Sequence, residues 1–182
     1  MKSTLPFTAT LLAALTVGPA ASGLLSLQGA GNRASEQSRI AVTAYGDFSI
    51  VPPNLGPYLN VGTDGDLYVH DMPLVGRFQL SGTGVSIEAK FNISFSGELD
   101  VTGTGAAWFP ITLTTTIDGV KTIIFEGRGN ADEVNLVASG KVSLSGRGPY
   151  TGSTLELSFE EIGPGDSNTF NFRGHLLPAP RP

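Results

Sequence analysis

Apolar and polar side chains alternate without interruption over residues 85–95, VSIEAKFNISF. Val85, Ile87, Ala89, Phe91, Ile93 and Phe95 hold one parity, and Ser86, Glu88, Lys90, Asn92 and Ser94 the other. Successive side chains of a strand point to opposite faces, so this run predicts a strand with one buried and one wetted side. The same phase continues through Gly97, Leu99 and Val101. A single strand reaching that far would span about 55 Å, which predicts a turn or sharp bend near Ser96-Gly97-Glu98.

Residues 108–117, WFPITLTTTI, repeat the pattern, with Phe109, Ile111, Leu113 and Ile117 opposed to Thr112, Thr114 and Thr116. Asp118-Gly119 then separates this run from a second β-prone one, 120–125 (VKTIIF). A type I′ turn needs positive φ at both central positions, which Asp-Gly supplies at low cost, so a two-residue hairpin is predicted here. Its register sets Ile117 against Val120 and Leu113 against Ile124. Weaker alternation predicts strands over 39–50, 66–71, 74–81, 133–138, 141–145, 153–161 and 168–175. No helical periodicity of comparable length follows the first segment. The fold class is all-β.

Glycine decides between the β architectures. The chain has 24 Gly in 182 residues, about twice the usual ~7%. Many fall in one short form (apolar, any, apolar, polar, Gly, any, Gly) that ends at Gly84, Gly105, Gly129 and Gly148. Bulges, corners or turns recurring on alternate strands of a meander curve a sheet toward closure. A single antiparallel β-barrel of about 8–10 strands is therefore predicted, with a two-sheet β-sandwich as the alternative.

The first residues read as an address. Lys2 precedes an uncharged apolar stretch, 5–17, and then Gly18-Pro19-Ala20-Ala21-Ser22. That order predicts a signal peptide over 1–22, cleaved after Ser22, and a secreted or periplasmic protein. Residues 23–38 form a flexible lead-in, 39–176 the barrel domain, and the proline-rich 177–182 a disordered tail. No stretch is long and apolar enough for a transmembrane helix.

The chain carries no Cys, which excludes disulfides, thiolate metal sites and a cysteine nucleophile. A formal net charge of −5 argues against nucleic acid as a partner. The Gly-x-Gly pairs precede neither a helix start nor a Gly-Lys-Ser/Thr ending, so no nucleotide or other cofactor is implied. Asp64, Asp66 and Asp71 offer hard oxygen ligands, but Tyr68 and Val69 stand where a calcium loop needs a ligand and a glycine. They are read as turn chemistry, and no metal is assigned. With only His70 and His175 as imidazole bases and no Gly-x-Ser-x-Gly elbow, no catalytic set emerges.

Five side chains remain as candidates for binding a ligand. Tyr68 and Tyr150 lie in or near turns and Trp108 stands beside Phe109 at the start of a predicted strand, all three aromatics suited to stacking. His70 sits in the polar run 63–71. Glu161 shares the parity of Leu155, Leu157 and Phe159, so it faces inward near a strand end, either as a carboxyl of raised pKa or as the point where the strand leaves the core. Arg77, Arg128, Arg147 and Arg173 lie beside glycines and either gather at a rim or pair with neighbouring acids.

Gly146-Arg147-Gly148-Pro149-Tyr150-Thr151-Gly152, continuing through Phe172-Arg173-Gly174, resembles the Gly-x-Gly-x-aromatic-x-Gly turn of secreted allene oxide cyclase and dirigent-type β-barrels. The resemblance covers about thirty residues and carries no functional residue onto this chain. It implies an apolar barrel interior that guides cyclisation or coupling of a small hydrophobic molecule. The residues themselves favour a non-catalytic binding or surface-interaction module, whose partner is a small apolar ligand or a cell-surface component. The alternative is a small-molecule cyclase or isomerase using an apolar barrel cavity. An apolar cavity holding a buried carboxyl or imidazole favours the alternative; an interior filled by Phe91, Phe95, Ile111, Leu113 and Leu144 opposes it.

Overall fold

The computed structural model describes residues 39–51, 54–162 and 168–180; the expected signal segment 1–22 and lead-in 23–38 lie outside them. Nine strands form one antiparallel sheet: β1 (Ile40–Ile50), β2 (Leu59–Val61), β3 (Leu67–Gly82), β4 (Val85–Leu99), β5 (Gly105–Ile117), β6 (Val120–Val134), β7 (Val137–Gly146), β8 (Thr154–Glu161) and β9 (Thr169–Leu177). From β3 to β9 each strand pairs with the next, and β1 pairs with both β9 and β3. That double pairing closes an eight-stranded barrel and removes its edges. The sandwich alternative is thereby excluded. The short β2 lies outside the ring, paired only with the start of β3.

One face of each of the eight barrel strands is largely apolar and turned inward, while the outer wall carries charged residues such as Glu88, Lys90, Arg128 and Glu156. This is the reverse of a transmembrane barrel, which needs an apolar band outside. The inner face is packed unevenly. Toward the end formed by the β3–β4, β5–β6 and β7–β8 turns, Leu80, Leu113, Phe125, Leu144 and Leu155 are fully buried. Each contributes about 1.5–3 kcal/mol by leaving water. Tyr150 caps this end, its ring 5.0 Å from that of Phe125.

Several inward positions are glycine because aromatic rings lie over them. A Cβ on Gly129 would sit 2.3 Å from the Phe109 ring, and one on Gly140 only 2.0 Å from the Asn130 carbonyl and 2.8 Å from the Phe159 ring. Glycines thus bend the strands and receive the phenylalanines at once.

Five local expectations are corrected. The predicted bend at Ser96-Gly97-Glu98 is absent, and β4 runs unbroken to Leu99. The curvature falls on β3, where His70 and Asp71 together oppose Ser96 in a β-bulge that fuses the two shorter predicted strands into one. Asp71 takes φ 48° there, its N–H donating to Ser96 Oγ (2.9 Å) while Ser94 Oγ donates to its carboxylate (3.1 Å). A bulge increases local twist, so one long strand wraps the barrel without breaking.

The Asp118-Gly119 hairpin forms with Ile117 opposite Val120, but Leu113 meets Phe125, because Ile124 is an extra residue in β6. Ile124 and Phe125 are both buried, and the hairpin tip beyond them is exposed. Residues 133–138 are not one strand but the end of β6 and the start of β7 around a two-residue turn, with Asn135 and Leu136 at φ 53° and 64°. Leu177, expected in the tail, is the last residue of β9, and Ala179 N–H donates to Ser153 Oγ at 3.2 Å.

Candidate functional site

At the barrel's other end, where β4 leads to β5 and β6 to β7, the described side chains leave the interior unfilled. A cavity of about 260 Å³ lies there, walled by Phe91, Phe95, Phe109, Phe159 and Phe170 and by aliphatic side chains that include Ile93, Ile111 and Val142. One cross-strand row runs Gly97, Ala107, Ala131, Gly140, Phe159 and Phe172 from β4 to β9. Of this row Ala131, Phe159 and Phe172 line the cavity, and the Phe159 ring lies over Gly140.

The mouth is built from turns. Leu136 lines the cavity from its left-handed position, which costs a non-glycine residue about 1–2 kcal/mol. Its N–H donates to the Gly103 carbonyl of the β4–β5 turn at 2.9 Å, tying two turns together at the lip. Leu59 of β2 and Leu67 add the side toward β3.

Among the described residues, the charged side chains lining the cavity are two glutamates, Glu133 of β6 and Glu161 of β8. They stand on either side of Ala138 of β7: Glu133 is its cross-strand partner, and Glu161 accepts the Ala138 N–H at 3.1 Å. Both are half-buried. Burial, reinforced by the negative charge of Glu161, pushes the Glu133 carboxyl above its ordinary value of 4.5.

Of the five side chains singled out from sequence, the structure brings Glu161 to the cavity. Tyr68, His70 and Trp108 lie on the outer wall of β3–β5. Tyr68 is opposite Glu98, whose charge is the main cause that raises the phenol's pKa. Trp108 is 56% exposed opposite Ser96, and His70 is exposed on the bulge. Tyr150 sits at the packed end, as does the whole glycine turn that carried the family resemblance.

The arginines do not gather at a rim. Arg77 pairs with Asp47, Arg147 with Glu126 (Nε–Oε1 2.9 Å) and Arg173 with Glu160 (3.9 Å). Desolvation, followed by repulsion from Asp64, Asp100 and Glu98, raises the pKa of Asp66. No cluster of three or more potential ligands able to hold a metal occurs among the described residues.

Glu133 was missed because residues 133–138 read as a strand of their own. The signal was present: Phe125, Gly127, Gly129, Ala131 and Glu133 hold one parity and face inward together along β6.

The fold and the cavity together define an antiparallel eight-stranded barrel with one packed end and one open, apolar end. Neither a family model, a curated protein nor a solved structure matches the chain.

Proposed function

We propose that the protein is an exported, non-catalytic binding module that holds one small apolar molecule in the open end of its barrel. The observation that carries this reading is the cavity of about 260 Å³ walled by phenylalanines inside a barrel whose outer wall is charged. An apolar cavity of about 150 Å³ holds a benzene, so this one suits a compact body of about two fused rings. Sites for larger, drug-like molecules run from about 300 to 1,000 Å³. Strain at Leu136 on the lip supports the reading, since strained backbone clusters where ligands are clamped. Export is supported by the pattern of residues 1–22 alone.

A second reading, isomerisation or cyclisation of the bound molecule, is favoured by Glu133. A carboxyl whose pKa is raised by burial and by Glu161 beside an apolar cavity is the kind of group that can donate and recover a proton. The glycine-turn resemblance to allene oxide cyclase and dirigent barrels points the same way.

Native mass spectrometry of the protein as exported by its producing cell separates these outcomes. A retained small molecule, or uptake of naphthalene at one per barrel, is expected. Returned to fresh protein, the molecule comes back unchanged under the binding reading and as an isomer under the second. A protein that retains nothing and takes up no naphthalene would overturn both.

A further inference from the structure

Closure of the ring does not extend to the tips of two hairpins at the packed end. The last pair of the β4–β5 ladder on that side is Lys90 with Thr114, yet β4 begins at Val85 and β5 runs on to Ile117. Continued in the same register, the ladder would set Glu88 opposite Thr116. Instead the hairpins part, and a notch of about 460 Å³ opens in the outer wall, bordered by Glu88 and Ala89 on one side and Thr115 and Thr116 on the other. The backbone at both borders is turned toward it. The Lys90 carbonyl accepts the Thr114 hydroxyl at 3.3 Å, so the peptide groups of Lys90 face β5. Those groups alternate sides along a strand, and Glu88, two residues back, therefore faces the same way. Ile117 and Val120 close the two-residue turn at Asp118-Gly119, which directs Ile117 toward β6 and Thr116 toward β4. An unpaired strand edge is a template for another strand, and here two such edges face one gap.

The side chains give the notch a sign. Its charged lining is Arg77, Lys90 and Lys121 against Glu88, in a chain of formal net charge −5. Arg77 is held by Asp47, whereas Lys90 and Lys121 have no ion-pair partner among the described residues. Both lysines stand on the outer face, and Phe78 and Ale89 supply an apolar inner side. We propose that the notch receives an extended acidic segment of a partner protein, which adds as a short strand between β4 and β5. Hydrogen bonds to the peptide groups of Glu88 and Thr116 would hold its backbone, as when a peptide joins a sheet edge. Side chains alternate along such a strand, so those pointing outward meet Lys90 and Lys121, where Asp or Glu makes charge-assisted hydrogen bonds. Those pointing inward rest on Phe78 and Ala89. The segment selected therefore alternates acidic and apolar residues. This inference is independent of the cavity, which lies at the opposite end of the barrel.

The test titrates the whole ¹⁵N-labelled protein, followed by two-dimensional NMR, with three acetylated and amidated pentapeptides. They are Val-Glu-Val-Glu-Val, Val-Lys-Val-Lys-Val, and the first peptide again with both glutamate amides N-methylated. The acidic peptide is expected to shift the amide signals of Glu88, Ala89, Thr115 and Thr116. It should bind about tenfold or more tightly than the lysine peptide, and less tightly as salt is raised. N-methylation, which removes backbone donors and keeps both charges, should cost about tenfold or more. In the double variant Lys90→Gln, Lys121→Gln the acidic and lysine peptides should bind within about twofold of each other. Lysine peptide binding as tightly as the acidic one overturns the charge selection, and an N-methylated peptide that binds undiminished overturns strand addition. Shifts confined to other strands, or no binding by the acidic peptide at millimolar concentration, overturn the site. A dimer in sedimentation that the acidic peptide does not disperse, with the notch signals shifting as it forms, overturns it in favour of a second copy as occupant. Should the variant not fold, the three peptides on the parent protein decide alone.

Discussion

Replacing Ala131 with leucine tests whether the open end of the barrel is space or packed interior. Ala131 is buried on β6, with Ala107 and Gly140 as its cross-strand neighbours, and its methyl group lines the cavity. Leucine adds three carbons at that point. At about 0.8 kcal/mol per buried carbon the gain has a ceiling of about 2.4 kcal/mol. Adjustment of the nearby Phe109 and Phe159 rings takes back about 1 kcal/mol of that. A net stabilisation of about 1–2 kcal/mol is expected, which for a chain of this size raises Tm by about 3–6 °C. The same substitution occupies the floor of the site, so naphthalene affinity should fall about tenfold or more. Thermal unfolding followed by circular dichroism, with a naphthalene titration of the same preparation, measures both. Stability and binding moving in opposite directions is the signature of a cavity kept for a ligand. A fall in Tm of several degrees would show that no room exists beside Ala131, and the functional argument would go with it.

Two further outcomes follow from the contrast between the barrel's ends. Leu113→Ala, in the fully buried half, should cost about 3 kcal/mol in urea unfolding, because no existing space absorbs the deletion; a loss under 1 kcal/mol would contradict the packing described. For Glu133 the folded pKa is raised, so the folded state holds its proton to higher pH than the unfolded one, and this residue lowers stability as pH rises above its ordinary value of 4.5. Glu133→Gln should therefore be more stable than the parent at neutral pH and lose that advantage below about 4.5, as urea midpoints across pH will show; an unchanged difference at all pH values would refute the assignment.

What was legible in the sequence was set by period two. The parity of Phe91, Ile111, Leu144 and Leu157 gave the inner face directly, and Asp118-Gly119 announced its turn, because both signals depend only on near neighbours. Two of the errors share one cause. His70-Asp71 and Ile124 are single inserted residues that shift a ladder, and a bulge leaves no compositional trace unless a glycine marks it. Asn135-Leu136 hid a turn because leucine seldom adopts positive φ; here the carbonyl of Gly103 and a place at the lip hold it there. Glu161 was recognisable from the parity of β8. Its approach to Glu133 was not, since that depends on two ladders and the alanine between them.

The seam between β1 and its two neighbours has a consequence for how the molecule comes into being. Ile40 meets Leu176 while Val42 meets Gly82, so the first strand of the barrel is held by the last one made and by one from the middle of the chain. A polypeptide still emerging from the ribosome lacks β9 and cannot zip the ring. Such distant pairings make assembly slow, on the scale of milliseconds to seconds. Until β9 arrives, β1 lacks one of its two neighbours and the ring stays open.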